Sequence, residues 1–182
     1  MNAYIEMSAR AKEELEAAGA SINELELEGA RVLAWVERWR AAPLGDDVQG
    51  EWAPIDATVT FADGMQTGKS VRMRLSVLLA DTMPDLEGHP HWVAFAQALA
   101  SKFAPVVIEI EEHSSRLSLT YEQLVYKGTE PQVALYCEKL AYLASFVLPA
   151  VLRIRLEAWT LEDVRNLAQQ VLNEALTLGY RQ

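Results

Sequence analysis

The sequence predicts an α+β fold, a five-stranded, mainly antiparallel sheet with helices packed on one face. Two periodicities support this prediction. Several short segments alternate apolar and polar residues, which is typical of strands with one buried face. Several longer segments repeat apolar residues every three to four positions, as amphipathic helices do. In chain order these segments give the element order ααββαββαβα, which begins with an N-terminal helical hairpin.

Residues 1–42 are predicted to form this helical hairpin. Residues 3–18 are rich in Ala, Glu and Lys, which favour helices, and Gly19 is suited to end the first helix. Ser21 and Glu24 have the spacing of a capping box at the start of a second helix. The apolar stripe of that helix would contain Ile22, Leu25, Val32, Leu33, Val36 and Trp39.

Residues 43–54 are predicted to be a linker, because they are rich in the Pro, Gly and Asp residues that interrupt regular structure. The predicted organisation is therefore a helical hairpin over 1–42, this linker, and an α+β domain over 55–182. We expect the three parts to fold as one cooperative unit.

Two β-hairpins are predicted after the linker. Residues 56–61 and 71–77 both alternate apolar and polar residues and are joined by a turn that contains glycine. Residues 106–112 and 116–125 form the second pair, with a short turn between them. A helix over 91–103 is predicted to connect the two hairpins.

The C-terminal part is predicted to contain a helix, a strand and a second helix. Residues 130–148 are apolar on most sides, so this helix is expected at the centre of the fold, and Pro149 should end it or kink it. Residues 152–157 alternate apolar side chains with arginine and are predicted to be the fifth strand. Thr160 and Asp163 have the spacing of a cap for a final helix that ends near position 178.

The segment 63–70, Asp-Gly-Met-Gln-Thr-Gly-Lys-Ser, has part of a phosphate-binding motif. That motif needs Gly-x-x-x-x-Gly-Lys-Ser/Thr at the start of a helix, whose N-terminus holds the phosphate groups. Here Asp63 occupies the position of the first glycine, and the residues after Ser70 alternate as a strand does. We therefore interpret the segment as the loop of the first hairpin.

The 182-residue chain has a net charge of −10 at pH 7, and its first 60 residues contain 5 basic and 12 acidic side chains. Binding to nucleic acid depends on cationic side chains that neutralise phosphates, so direct nucleic-acid binding is not expected. The acidic N-terminal part is interpreted as a solvated surface. The alternatives are contact with a basic partner and mimicry of nucleic acid.

The cysteine content and the apolar segments favour the cytoplasm. Cys137 is the single cysteine, which excludes an intramolecular disulfide and any metal site with several cysteines. The N-terminus lacks the basic region and apolar run of a signal peptide. The longest apolar segment, 140–152, is shorter than the roughly 20 residues that a membrane span needs.

Four arginines are expected on the polar face of the sheet, where two predicted strands repeat the pattern apolar-Arg-apolar-Arg-apolar: Arg72, Arg74, Arg153 and Arg155. Glu109 and Glu111 would share this face, and one interpretation is an internal ladder of arginine and glutamate. The other is a docking surface, because arginine binds carboxylates in a bidentate manner. The order of the strands decides whether the charges are paired within the molecule.

Two tryptophans give a second candidate surface. Trp35 and Trp39 would lie on one side of the predicted second helix, where they either pack on the main domain or contact a partner.

The leading hypothesis is a non-enzymatic protein-binding module, such as an adaptor, a chaperone-like protein, an immunity protein or an inhibitor. Its partner would contact the arginines, the tryptophans or the acidic N-terminal segment. No catalytic residue, cofactor or metal ligand is assigned. One alternative is a small enzyme or a ligand- or metal-binding domain that uses the loop 81–91, which contains His89 and His91. The others are an acidic mimic of nucleic acid and a homodimer.

Overall fold

The computed structural model describes residues 2–40, 52–64, 69–80, 90–103, 105–111, 116–156 and 160–177. The helices are α1 (Ala3–Ala17), α2 (Pro90–Phe103), α3 (Val133–Leu156) and α4 (Leu161–Thr177). The strands are β1 (Asn23–Leu27), β2 (Ala30–Arg40), β3 (Trp52–Asp63), β4 (Ser70–Ala80), β5 (Val106–Glu111) and β6 (Arg116–Tyr126). They form one antiparallel sheet in the order β1-β2-β3-β4-β6-β5.

This architecture confirms the predicted α+β class and the mainly antiparallel sheet, with six strands in place of five. Both predicted hairpins are present. β3 pairs with β4 in a register that places Ala57 opposite Val77, and β5 pairs with β6. Because β4 begins at Ser70, the segment after the glycine-rich loop is a strand and offers no helix N-terminus to a phosphate.

The predicted second helix is wrong, because residues 23–40 form the hairpin of β1 and β2. Gly29 has φ 74° in the tight turn between the two strands, a conformation that would interrupt a helix. Leu33 and Trp35 lie two residues apart and are both buried, whereas Val36 is exposed, so the buried positions follow the period of a strand. Glu24 does not cap a helix; its carboxylate binds Lys12 and Arg31.

The predicted fifth strand is also wrong, because α3 continues through Pro149 to Leu156. Val147, Ala150, Val151 and Ile154 are buried at helical spacing, and their packing outweighs the one backbone hydrogen bond that proline cannot make. The alternation of apolar residues with arginine in this segment is therefore compatible with one buried stripe of a helix. Arg153 and Arg155 lie on α3 and not in the sheet.

α1, α2 and α3 pack on one face of the sheet and α4 packs on α2 and α3, and all four helices contribute to a single hydrophobic cluster. α3 is central, since it contacts α1, α4 and four strands. The cluster includes Leu15 of α1, Leu33 of β2 and Phe61 of β3, so the N-terminal helix and hairpin share one core with the rest of the fold. Most of the predicted linker, residues 43–51, lies outside the described residues.

The window Val133–Val151 of α3 is long and apolar enough to cross a membrane by length and composition, with a mean hydropathy of 1.3. Within the fold, 56% of that window is buried. A helix at the centre of a protein core meets the same criteria.

Candidate functional site

The face of the sheet opposite the helices carries a row of side chains that are aligned across the strands. The strand registers align Ala34, Thr58, Ser76, Thr120 and Val107 across five strands. Residues that are directly opposite in a sheet point to the same face. No described helix covers this face, which we call the open face.

Arg74 and Glu109 of the open face are paired with each other. Arg74 donates a hydrogen bond to Glu109, which also accepts one from the hydroxyl of Thr120 at 3.1 Å. The hydroxyls of Thr120 and Ser76 lie 3.5 Å apart. The pair reaches across β6, because β4 and β5 are both neighbours of that strand. The network thus joins three adjacent strands.

Arg72 also has a carboxylate partner within the molecule, since its Nε lies 3.6 Å from Glu122 Oε1 on β6. About half of each side chain is exposed, so this pair is weak. The strand order therefore places both arginines of β4 near glutamates. An internal arginine–glutamate ladder accounts for these two residues without a ligand.

The remaining predicted site residues are not gathered on this face. Arg153 is half-buried on α3, and the side chain of Arg155 lies outside the described residues. Trp35 is buried on the helix side of β2, where its indole Nε1 donates a 3.1 Å hydrogen bond to Glu37. Trp39 belongs to β2, and its side chain is also outside the described residues. Trp35 thus contributes to the core and not to an exposed helix stripe.

The open face also exposes large apolar side chains that the sequence prediction did not single out. Of the nine large hydrophobic residues that are exposed in the described part of the chain, six lie at positions of this face: Leu25, Leu27, Val36, Val107, Leu124 and Tyr126. Tyr126 is 60% exposed and Leu25 57%. Once the strands are assigned, their alternation alone places these residues opposite the helices.

A groove of about 920 Å³ lies on the helix side of the sheet, near the edge that β1 forms. Its walls come from the C-terminal end of α1, from β2 and from α3. Three carboxylates line it: Glu14, Glu37 and Glu138. Two of its apolar wall residues, Val36 and Leu135, are 57% and 45% exposed. The groove therefore combines negative charge with exposed apolar surface.

Cys137 lies beside this groove but is not a candidate nucleophile. Its side chain is buried, and its Sγ lies 3.8 Å from Glu37 Oε2. Burial raises the pKa of the Cys137 thiol far above its ordinary value, and the Glu37 carboxylate raises it further. The thiolate is the nucleophilic form of cysteine, so this residue is held in its inert state.

Within the described ranges, no group of three or more His, Cys, Asp or Glu side chains is arranged to hold a metal ion. The predicted ligand or metal site in the loop 81–91 falls largely on residues 81–89, which are outside the described residues. Of its two histidines, His91 is described and lies in the first turn of α2.

Comparison with known proteins gives no match, because no family model, no curated protein and no solved structure is significantly similar to the chain.

Proposed function

We propose that this protein is a non-enzymatic binding module that holds another protein on the open face of its sheet. One observation carries the proposal: six of the exposed large apolar side chains lie on the face that no described helix covers. Single exposed apolar residues are ordinary on protein surfaces, but their concentration on one face is typical of interaction sites.

The distribution of these residues suggests how a partner is held. Leu25, Leu27 and Val36 lie on β1 and β2, whereas Val107, Leu124 and Tyr126 lie on β5 and β6. Between them the face is polar, and its central charges are already paired in the Arg74–Glu109 network. Apolar groups at both sides would provide contact area, while the hydroxyls of the centre would provide hydrogen bonds.

The occupant that we propose is a different protein and not a second copy. Two copies would each bring a net charge of −10, and this repulsion opposes their association. The partner should present apolar side chains without an excess of negative charge.

The test compares a face variant with a matched control. In Val107→Thr/Leu124→Thr, two exposed residues of the open face are replaced by a residue that still favours strands. In Val93→Gln/Leu161→Gln, two exposed apolar residues of α2 and α4 are replaced, so a similar apolar area is removed elsewhere. Each protein is used as bait in a lysate of the native host, and any stoichiometric partner is then purified and its Kd measured.

We expect the control to bind the purified partner as the wild type does, and the face variant to bind it at least about tenfold more weakly. Equal binding by both variants, or the lack of any stoichiometric partner, would overturn the proposal. Analytical ultracentrifugation distinguishes the alternative of self-association, since a dimer that the face variant dissociates would make the second copy the occupant.

A further inference from the structure

The edge of β2 is only partly covered. β2 pairs with β3 along its whole length, Ala30–Arg40, but with β1 only from Ala30 to Ala34. Among the described strands, the backbone from Trp35 to Arg40 therefore has a neighbour on one side alone. The uncovered edge of a strand presents backbone N–H and C=O groups to which a further strand can add.

The groove of about 920 Å³ lies beside this uncovered edge, since Val36 and Glu37 of β2 belong to its lining. The side chains of adjacent residues in a strand point to opposite faces. Glu37 thus points toward the helices, where Trp35 and Cys137 contact it, and Val36 points toward the open face. A strand added here would find a carboxylate on one side and an apolar side chain on the other.

The negative charge of the groove favours a cationic occupant. Its described lining contains Glu14, Glu37 and Glu138 and no lysine, arginine or histidine. Glu138 is exposed in this groove, and a carboxylate can accept hydrogen bonds from an incoming cationic group. Anionic ligands are disfavoured by three carboxylates, and a second copy joined at the same edge would bring three more.

We propose that this groove binds an extended segment of another protein in which lysine or arginine alternates with apolar residues. The segment pairs with the backbone of β2 beyond Ala34. Its cationic groups lie near Glu37 and Glu138, with their aliphatic stems on Leu135, and its apolar side chains lie near Val36. This site shares Val36 with the partner surface proposed above. The variants that test the two proposals have no residue in common, so either proposal can fail without the other.

The experiment uses fluorescein-labelled synthetic peptides of about six residues, the usual length of a strand. The first peptide alternates lysine with valine. The second alternates glutamate with valine and tests the sign of the charge. The third repeats the first with alternate backbone nitrogens methylated, which removes the donors needed for strand pairing while its charge is unchanged. Binding is followed by fluorescence anisotropy at low and high salt.

The groove variant is Glu37→Gln/Glu138→Gln, and the matched control is Glu13→Gln/Glu16→Gln. Glu13 and Glu16 are exposed on α1 and do not line the groove, so both variants lose the same net charge. Glu138→Gln alone is a second groove variant, which replaces an exposed side chain and leaves the contacts of Glu37 with Trp35 and Cys137 in place.

We expect the lysine–valine peptide to bind the wild type and the control with similar Kd. Its Kd should rise about tenfold in the double groove variant and about threefold in Glu138→Gln. The glutamate and methylated peptides should bind at least about tenfold more weakly than the first.

Three results would overturn the inference. Equal weakening in the groove and control variants would show general attraction of a polycation to an acidic protein. Equal binding of the methylated peptide would show that no strand pairing occurs. No measurable binding of the lysine–valine peptide to the wild type at low salt would exclude the proposed occupant.

Discussion

Glu14 near the end of α1 accepts a 3.0 Å hydrogen bond from the backbone N–H of Ala134 at the start of α3. The second oxygen of the same carboxylate accepts the N–H of Val133 at 3.2 Å. The first N–H groups of a helix have no partner within it, and a negative charge is favourable at that end. A side chain from the first helix therefore caps the central helix of the core.

Glu14→Ala is expected to lower the free energy of unfolding by about 1–2 kcal/mol, which is the usual cost of losing a cap. Glu14→Gln retains one acceptor oxygen and should cost about half as much. Urea unfolding followed by circular dichroism measures both. Glu13→Ala removes an exposed neighbour and should change stability by less than about 0.5 kcal/mol. Equal effects of Glu13→Ala and Glu14→Ala would contradict the capping role.

The cap of α4 should make stability depend on pH. Asp163 accepts hydrogen bonds from the hydroxyl and backbone N–H of Thr160, and these hold the pKa of its carboxyl below the ordinary value. A carboxyl whose pKa is lower in the folded state stabilises the protein above its unfolded pKa of about 4. This contribution to stability is lost as the pH falls through the pKa that the Asp163 carboxyl has in the folded protein.

Asp163→Asn should accordingly be less stable than the wild type at pH 7, with a difference that narrows below about pH 4. Thermal unfolding from pH 7 to pH 2 measures this difference. Asp56→Asn, which changes an exposed aspartate with no capping contact, is the control. A difference between wild type and Asp163→Asn that stayed constant with pH would exclude the titration of this cap.

The pair of Arg74 and Glu109 should contribute little to stability, because each side chain is about 40% exposed. A double-mutant cycle with Arg74→Ala and Glu109→Ala is expected to give a coupling of about 0.2–1 kcal/mol that decreases with salt. Denaturant unfolding at low and high salt supplies the four stabilities. A coupling near zero would leave Arg74 available to a partner and would favour the docking interpretation of this arginine.

Cys137 should react with a thiol reagent only when the fold opens, because its thiol is buried and its raised pKa keeps it protonated. We expect labelling of the native protein at pH 8 to be at least about a hundredfold slower than labelling in denaturant. The absorbance of the chromophore that the thiol reagent releases measures the labelling rate of the native and of the denatured protein. Rapid labelling of the native protein would show that α3 separates readily from β2 near Glu37.

Removal of residues 1–42 should prevent cooperative folding. The deletion removes core residues of α1 and β2, among them Leu15, Leu33 and Trp35, together with the cap supplied by Glu14. Each large buried side chain contributes about 2–4 kcal/mol, so their combined loss exceeds the stability of a typical domain. Near-ultraviolet circular dichroism and thermal unfolding of residues 43–182 test this. A sharp unfolding transition would show that the N-terminal part is a separable unit.

The elements with one clear periodicity could be predicted from the sequence. Both later hairpins, α2 and α4 were predicted within a few residues, and the Thr160–Asp163 cap has the predicted hydrogen bonds. The two wrong predictions, the second helix and the fifth strand, concern segments whose apolar residues fit both the helical and the strand period. Leu25, Val32, Val36 and Trp39 match a helical stripe, although the chain forms strands there, and Gly29 was the signal that favoured a turn.

The contacts of the candidate site depend on which strands are neighbours in the sheet, and no local sequence pattern specifies this. Arg74 and Glu109 are 35 residues apart, and only the order β4-β6-β5 brings them together. The groove depends on where β1 ends relative to β2, which no local pattern specifies. The capping of α3 by Glu14 joins positions 120 residues apart and has no local sequence signature.

The position of β6 between β4 and β5 has a consequence for the order in which the chain assembles. β1 to β4 can pair one after another as they leave the ribosome, because each neighbour is the next strand in the sequence. The partner of β4 arrives much later, since Ser76 and Thr120 are 44 residues apart. Until β6 is made, β4 is an uncovered edge whose buried side chains include Met73 and Leu75. A chain released before Arg116 would therefore expose this apolar strand and be prone to aggregate, whereas completion of β6 closes the edge.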